Sequence, residues 1–265
     1  MNLSISNIAW GEEDDTNMYR FLKDNGFNGL EIAPTRIFPD KPYEHNNEAK
    51  EWAHRLKENY GLVISSMQSI WYGRDEKIFS DRRSRNELIE YTTKAVTFAE
   101  AIECKNLVFG NPRNRDTLNV AQDYPTAIEF FHTIGEIASE HHTAIAIEAN
   151  PVIYNTHFIN YTEQAVELAY KSNSKGIRVN ADLGTIIYNN EDMEYLKTVT
   201  EYINHIHISE PGLKLIEDRK QLHSTLIAIA KEYMPNIFVS IEMGKQKISD
   251  VKSTIEYIND LVRNA

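Results

Sequence analysis

What most constrains this chain is a recurrence. A short run of β-type residues is followed by a longer stretch with apolar residues at helical spacing, and the pair repeats eight times within 265 residues. Strands that alternate with helices long enough to cross back over a sheet are the sequence sign of parallel pairing. The pattern predicts strands at Leu3 to Ala9, Gly29 to Ala33, Leu62 to Ser66, Asn106 to Phe109, Thr143 to Glu148, Gly176 to Ala181, Ile203 to Ile208 and Ile237 to Ile241. It predicts helices at Asp15 to Asn25, Asn47 to Tyr60, Asp81 to Glu103, Ala121 to His141, Thr162 to Lys171, Asp192 to Tyr202, Arg219 to Tyr233 and Ser249 to Val262. Several of these open on Asp, Asn, Ser or Thr, whose side chains can accept from the free N–H groups of a first turn.

Eight such units in about 250 residues match a closed eight-stranded barrel, whereas an open doubly wound sheet uses about five or six strands and a glycine-rich first turn. The expectation is an α/β chain forming one (β/α)8 TIM barrel, with residues 1–265 as a single domain. Two connections are longer than a barrel requires, Pro34 to Asn46 and Gln68 to Ser80. Long loops at the carboxyl ends of barrel strands are where substrate contacts are normally built.

Several function classes drop out. There is no Gly-x-Gly-x-x-Gly turn and no Gly-x-x-x-x-Gly-Lys-Ser/Thr loop, so dinucleotide binding and P-loop phosphoryl transfer have no support. Lys and Arg number 28 against 39 Asp and Glu, a net charge of −11. Such a chain repels a phosphate backbone unless its cations cluster, and the densest cluster, Arg82-Arg83-Ser84-Arg85, opens a helix amid acidic residues. Nucleic acid is therefore not an expected partner. The single Cys104 rules out an internal disulfide framework and a multi-cysteine zinc site, which suits a reducing compartment. No window reaches the roughly 20 apolar residues of a membrane span, and Met1 to Trp10 lacks the features of a signal peptide, so the expected location is cytoplasmic, away from membranes.

The chemistry gathers in the second half. Four strands end in a side chain that a buried strand does not need: Glu148 in Ala-Ile-Ala-Ile-Glu, Asp182 in Arg-Val-Asn-Ala-Asp, His207 in His-Ile-His-Ile-Ser-Glu and Glu242 in Val-Ser-Ile-Glu. Strand side chains alternate between faces, so Ala146 with Glu148, Asn180 with Asp182, His205 with His207 and Ser240 with Glu242 share a face, predicted to be the barrel mouth. Three carboxylates crowded there repel one another unless a cation offsets them. Three oxygen donors and one imidazole suit one divalent ion, with Mn²⁺, Co²⁺, Zn²⁺ or Mg²⁺ favoured over copper or iron–sulfur chemistry. His205 lies a layer deeper and is not counted as a ligand.

The whole chain, through its eight units and the endings Ile-Glu-Ala-Asn, Asn-Ala-Asp-Leu-Gly, His-Ile-His-Ile-Ser-Glu and Ser-Ile-Glu-Met, resembles the xylose-isomerase-like TIM barrel superfamily, most closely its sugar phosphate isomerase/epimerase group. The resemblance implies one divalent metal on Glu148, Asp182, His207 and Glu242. It also implies a second role for Glu148 and Glu242, as the carboxylates that move a proton on opposite sides of a sugar. Glu210, three residues after His207, matches an acidic position common in relatives and is a candidate substrate contact. Two departures stand out. Many relatives continue Asp-x-x-His after the sixth strand where this chain reads Asp182-Leu183-Gly184-Thr185, and ketose epimerases carry an acid soon after the fifth-strand glutamate where this chain has Asn150 to Tyr154.

The first half adds candidate substrate contacts. Glu31 ends the second strand facing inward; Gln68, Trp71 and Tyr72 lie on the loop after the third, where an aromatic could wall a sugar; Arg113 and Arg115 follow the fourth, where a guanidinium suits a phosphate or carboxylate. The resulting expectation is a metal-dependent isomerase or epimerase of a small sugar, sugar acid or sugar phosphate, acting by proton transfer next to a carbonyl. The same cage would serve a dehydratase of a polyol or keto acid, and a non-catalytic carbohydrate-binding barrel is the third alternative. The expected partner is a small carbohydrate, and the sequence is compatible with a homo-oligomer.

Overall fold

The computed structural model describes residues 1–264. Its eight strands are β1 (Asn2–Ile5), β2 (Gly29–Ile32), β3 (Val63–Met67), β4 (Leu107–Phe109), β5 (Ile145–Glu148), β6 (Ile177–Asp182), β7 (Ile203–Ser209) and β8 (Phe238–Glu242). They run parallel in one sheet of order β1-β8-β7-β6-β5-β4-β3-β2, and a single parallel bridge between Ser6 and Glu31 draws β1 to β2. The sheet is thus a nearly closed barrel with helices between its strands, the single (β/α)8 TIM barrel that the recurrence implies.

The helices are α1 (Asp15–Asp24), α2 (Pro34–Ile37), α3 (Asn46–Tyr60), α4 (Arg82–Ala101), α5 (Val120–Glu140), α6 (Thr162–Ser172), α7 (Leu183–Asn189), α8 (Lys220–Tyr233) and α9 (Ile248–Asn264). None is long and apolar enough to cross a membrane among the described residues. Three elements differ from the sequence expectation, one of them the short α2 inside the connection Pro34 to Asn46. The first strand stops at Ile5 because the chain turns into a 3₁₀ turn at Asn7–Ala9, whose Ile8 N–H faces the Ser6 hydroxyl. The segment expected as a helix from Asp192 to Tyr202 holds only a 3₁₀ stretch, Met193–Thr198, while the α-helix of that unit, α7, starts directly after β6.

The barrel wall is apolar outside and partly polar inside. Ile5, Leu30, Ile32, Phe109, Ile145, Ile147, Ile206 and Ile208 are buried against the helices, and burying each such side chain contributes about 1.5–3 kcal/mol. Within the barrel, hydroxyls and amides pair across strands: Ser4 Oγ lies 2.6 Å from Ser65 Oγ, and Asn106 Nδ2 donates to Ser66 Oγ at 2.9 Å. Small polar residues deep in the barrel leave room above them, at the carboxyl ends of the strands, for longer side chains to converge.

Candidate functional site

At that end the four strand-terminal residues meet. Glu148, Asp182, His207 and Glu242 each offer a donor atom, and these atoms all lie within 4.8 Å of one another. The register explains why: Asp182 pairs with His207 across β6 and β7, Glu148 pairs with Asn180 across β5 and β6, and Ser209 pairs with Glu242 across β7 and β8. His207 Nδ1 lies 3.0 Å from Glu148 Oε1 and 3.2 Å from Glu242 Oε2.

Each donor is held in place by its surroundings. His207 Nε2 lies 2.8 Å from Glu31 Oε2, which aims Nδ1 at the other carboxylates. Glu31 is fully buried and also takes a hydrogen bond from Gln68 Nε2 at 3.2 Å; His205 Nε2 stands 3.1 Å away, off the line of a hydrogen bond. Asp182 doubles as the N-cap of α7, Oδ1 accepting from Thr185 N at 2.6 Å and from the Thr185 hydroxyl at 2.8 Å, while Oδ2 accepts from Ser209 Oγ. Gly184 is a glycine for a reason of space, since a Cβ there would stand 2.9 Å from Ser209 Oγ. Glu148 accepts from Asn180 Nδ2 at 2.7 Å and from Asn150 Nδ2 at 3.1 Å.

The electrostatics are those of an acidic cluster drawn from water. Burial, with the Glu148 charge adding, pushes Asp182 up to about 6. Burial likewise pushes Glu242 up to about 7, against the opposing pull of His207. His207 is held well above its ordinary range by Glu242, Glu31 and Glu148, which together outweigh its burial. Burial opposes the charge on Glu31 too, but His207 and His205 more than offset it, so its carboxyl sits well below the usual range. A three-oxygen, one-nitrogen donor set with this much repulsion fits a divalent cation, whose charge would stabilise the ionised form of every oxygen donor.

Above the cluster opens a cavity of about 280 Å³, at the small end for ligand sites. Glu148, Asp182 and Glu242 form its floor, and Tyr72, Asn111, Asn150, Tyr154 and Leu213 stand on its walls. A larger groove of about 1080 Å³ lies at the opposite, amino-terminal end, where Lys57 faces Glu103 at 3.8 Å and Arg55 faces Glu51 at 3.6 Å. Neither of the two clusters of converging donors found among the described residues lies in its lining, so the chemistry points to the smaller cavity.

The other expected contacts are placed as follows. Gln68 lines the cavity, with its amide turned to Ser6 and Glu31. Glu31 lies beneath the cavity as the partner of His207. Trp71 turns away, donating from Nε1 to Thr92 Oγ1 at 2.9 Å and packing edge-on against Phe109, while its neighbour Tyr72 faces the cavity. Arg113 points out and pairs with Asp75 at 2.6 Å. Arg115 is fully buried, donating to the Glu148 carbonyl and to Asn150 Oδ1 at 2.7 Å each. Glu210 is buried beside Arg219, Nε to Oε1 2.8 Å, and does not line the cavity. Sequence reasoning passed over Asn150, two residues beyond Glu148 on the same side, and Tyr154. The spacing alone could have found Asn150; Tyr154 depends on the fold of the β5 loop.

A sequence profile of the family described as xylose isomerase-like TIM barrel matches residues 19–260. No curated protein sequence matches significantly. Among solved structures, a D-psicose 3-epimerase from Clostridium cellulolyticum H10 has TM-score 0.79 at 14% identity, over 100% of this chain and 99% of that one. A 3-keto-D-glucoside 4-epimerase from E. coli has TM-score 0.76 at 15% identity over 100% of both chains. A probable 3-DHS dehydratase from Bacillus anthracis has TM-score 0.74 at 15% identity, over 100% of this chain and 99% of that one. At these identities the likeness is one of fold.

Proposed function

The chain belongs to the xylose isomerase-like TIM barrel family, and from that premise we infer that it is a divalent-metal-dependent isomerase or epimerase of a small carbohydrate, shifting a proton next to a carbonyl. The observation that carries the reading is the convergence of Glu148, Asp182, His207 and Glu242 within 4.8 Å under a small cavity. A divalent ion held by these four would polarise a carbonyl and its adjacent hydroxyl and so acidify the carbon between them. Glu148 and Glu242 come from strands three apart around the barrel and both face the cavity, so one can take a proton from a substrate carbon while the other delivers one. Asn150 and Asn180 fix the Glu148 carboxylate by hydrogen bonds to its two oxygens, which keeps it aimed.

The test is deuterium wash-in. Protein loaded with Mn²⁺ is incubated with ketoses and aldoses in D₂O, and exchange at the carbon next to the carbonyl is followed by NMR, with chelator-treated protein as control. Metal-dependent exchange supports the reading. Water loss in place of exchange would reassign the protein to dehydration, and binding without either would reassign it to carbohydrate binding.

A further inference from the structure

Charge complementarity decides which carbohydrates this cavity can hold. Its floor carries three carboxylates, and among the described residues no Lys, Arg or His is part of its lining. One divalent ion offsets two of the three negative charges. The cations nearest in sequence do not reach it: Arg113 faces outward to Asp75, Arg74 pairs with Glu76 at 2.7 Å, and Arg115 lies outside the lining, its Nη2 donating to the Glu148 carbonyl and Asn150 while its Nε and Nη1 are buried without a protein partner. Lys214 follows the lining residue Leu213 but is exposed and does not line the cavity. The whole chain adds a net charge of −11. A phosphate or carboxylate entering here would be desolvated beside like charge with no guanidinium or ammonium to receive it.

The wall instead offers neutral donors. Tyr154 OH accepts a hydrogen bond from Gly212 N at 2.9 Å, which ties the loop after β5 to the loop after β7. That bond uses an oxygen lone pair and leaves the phenolic proton free, and among the described residues no acceptor takes it. Burial, with Asp182, Glu148 and Glu242 adding to it, pushes this phenol up to about 12, so it stays protonated and able to donate.

We propose that the cavity selects an uncharged polyhydroxy carbonyl compound, a sugar carrying neither phosphate nor carboxylate, and that Tyr154 donates a hydrogen bond to one of its hydroxyls. The inference rests on the reading of this site as a metal-dependent carbohydrate site. It fixes what that reading leaves open, namely the charge of the substrate.

The experiment measures binding to the Mn²⁺-loaded full chain by calorimetry, using matched pairs: D-fructose, D-tagatose, D-ribulose and D-xylulose, each against its terminal phosphate ester. At least one neutral sugar should bind, more tightly than its ester by about tenfold or more, the size of a single unfavourable charge contact worth about 1.4 kcal/mol. Tyr154→Phe should weaken that binding by about 2- to 10-fold, the worth of one neutral hydrogen bond, while leaving Mn²⁺ affinity unchanged. Esters that bind as tightly as the neutral sugars, or no neutral sugar bound at millimolar concentration, would overturn the proposal, and unaltered binding in Tyr154→Phe would remove Tyr154 from it. Failure of the underlying site reading looks different, because the wild-type chain would then not bind Mn²⁺ at all.

Discussion

Glu31→Gln is the perturbation that most directly tests how the candidate metal centre is built. Glu31 touches nothing in the cavity, yet its Oε2 lies 2.8 Å from His207 Nε2 in a site closed to solvent. A carboxylate there fixes the imidazole with its proton on Nε2 and makes Nδ1 a better donor. Glutamine keeps an oxygen able to accept from Nε2 and removes only the charge, so packing is retained. Partners of this kind are worth about 10- to 100-fold in metal affinity, which converts to about 1.4–2.7 kcal/mol. Mn²⁺ binding to wild type, Glu31→Gln and Glu148→Gln is measured by calorimetry at pH 6.5 and pH 8. The loss in Glu31→Gln should be largest at pH 8. At pH 6.5 it is partly offset, because Glu31 also helps hold the proton on His207 that a metal must displace. An Mn²⁺ affinity within about twofold of wild type at pH 8, with Glu148→Gln impaired, would refute the orienting role of Glu31.

At saturating Mn²⁺, Glu148→Gln and Glu242→Gln should each lower turnover by about 10²-fold or more, the low end for a positioned acid or base; near-normal rates in both would leave them only the task of holding the ion. Asp182 near 6 and Glu242 near 7 lie above the ordinary carboxylate range, so these two groups bind more protons in the folded metal-free chain than in the unfolded chain between about pH 4 and 7. Their contribution to metal-free stability is therefore full at about pH 4 and declines as pH rises through 7, and the Tm gained by adding Mn²⁺ should grow from pH 5 to pH 8 in a thermal-shift series; a pH-independent gain would contradict this. Arg113→Ala should leave Mn²⁺ affinity unchanged because its partner Asp75 is exposed with it, whereas Arg115→Met should weaken it by about tenfold by releasing Asn150 and the Glu148 carbonyl; calorimetry on both variants separates the two arginines.

The barrel was legible because parallel strands covered on both faces read as short apolar runs, and eight of them recur at one spacing. What periodicity could not reach was the ends of elements and the unit after β6. The α7 segment has Leu183, Gly184, Thr185 and Ile186 all buried, so it shows no polar face and no helical period. Its start is marked by Asp182, a residue with two tasks, since the carboxylate that caps the helix is also a candidate ligand. The capping reading and the ligand reading of that aspartate therefore describe one side chain, its oxygens held by Thr185 and Ser209 before any ion arrives.

The floor of the site was legible for an energetic reason. Acids and an imidazole at the ends of otherwise apolar strands break the local rule for buried strands, and Asp182 and Glu242 carry the consequence as pKa values raised by burial. Such a conflict is visible in one dimension because the strand itself supplies the expectation that is violated. The walls belong to loops, where neighbours in sequence part company in space: Trp71 is buried under Thr92 while Tyr72 lines the cavity. Arg113 and Arg115 likewise divide, one pairing at the surface with Asp75 and the other sealed against Asn150. No spacing rule assigns those directions, because each is set by a partner 21 to 38 positions away, such as Thr92 for Trp71 or Asp75 for Arg113. The charge of the substrate turns on these same loop directions. An arginine aimed inward would argue for a phosphate, and an arginine spent on the protein's own carbonyl argues for a neutral sugar, so the residues that decide specificity are those whose placement the sequence leaves open.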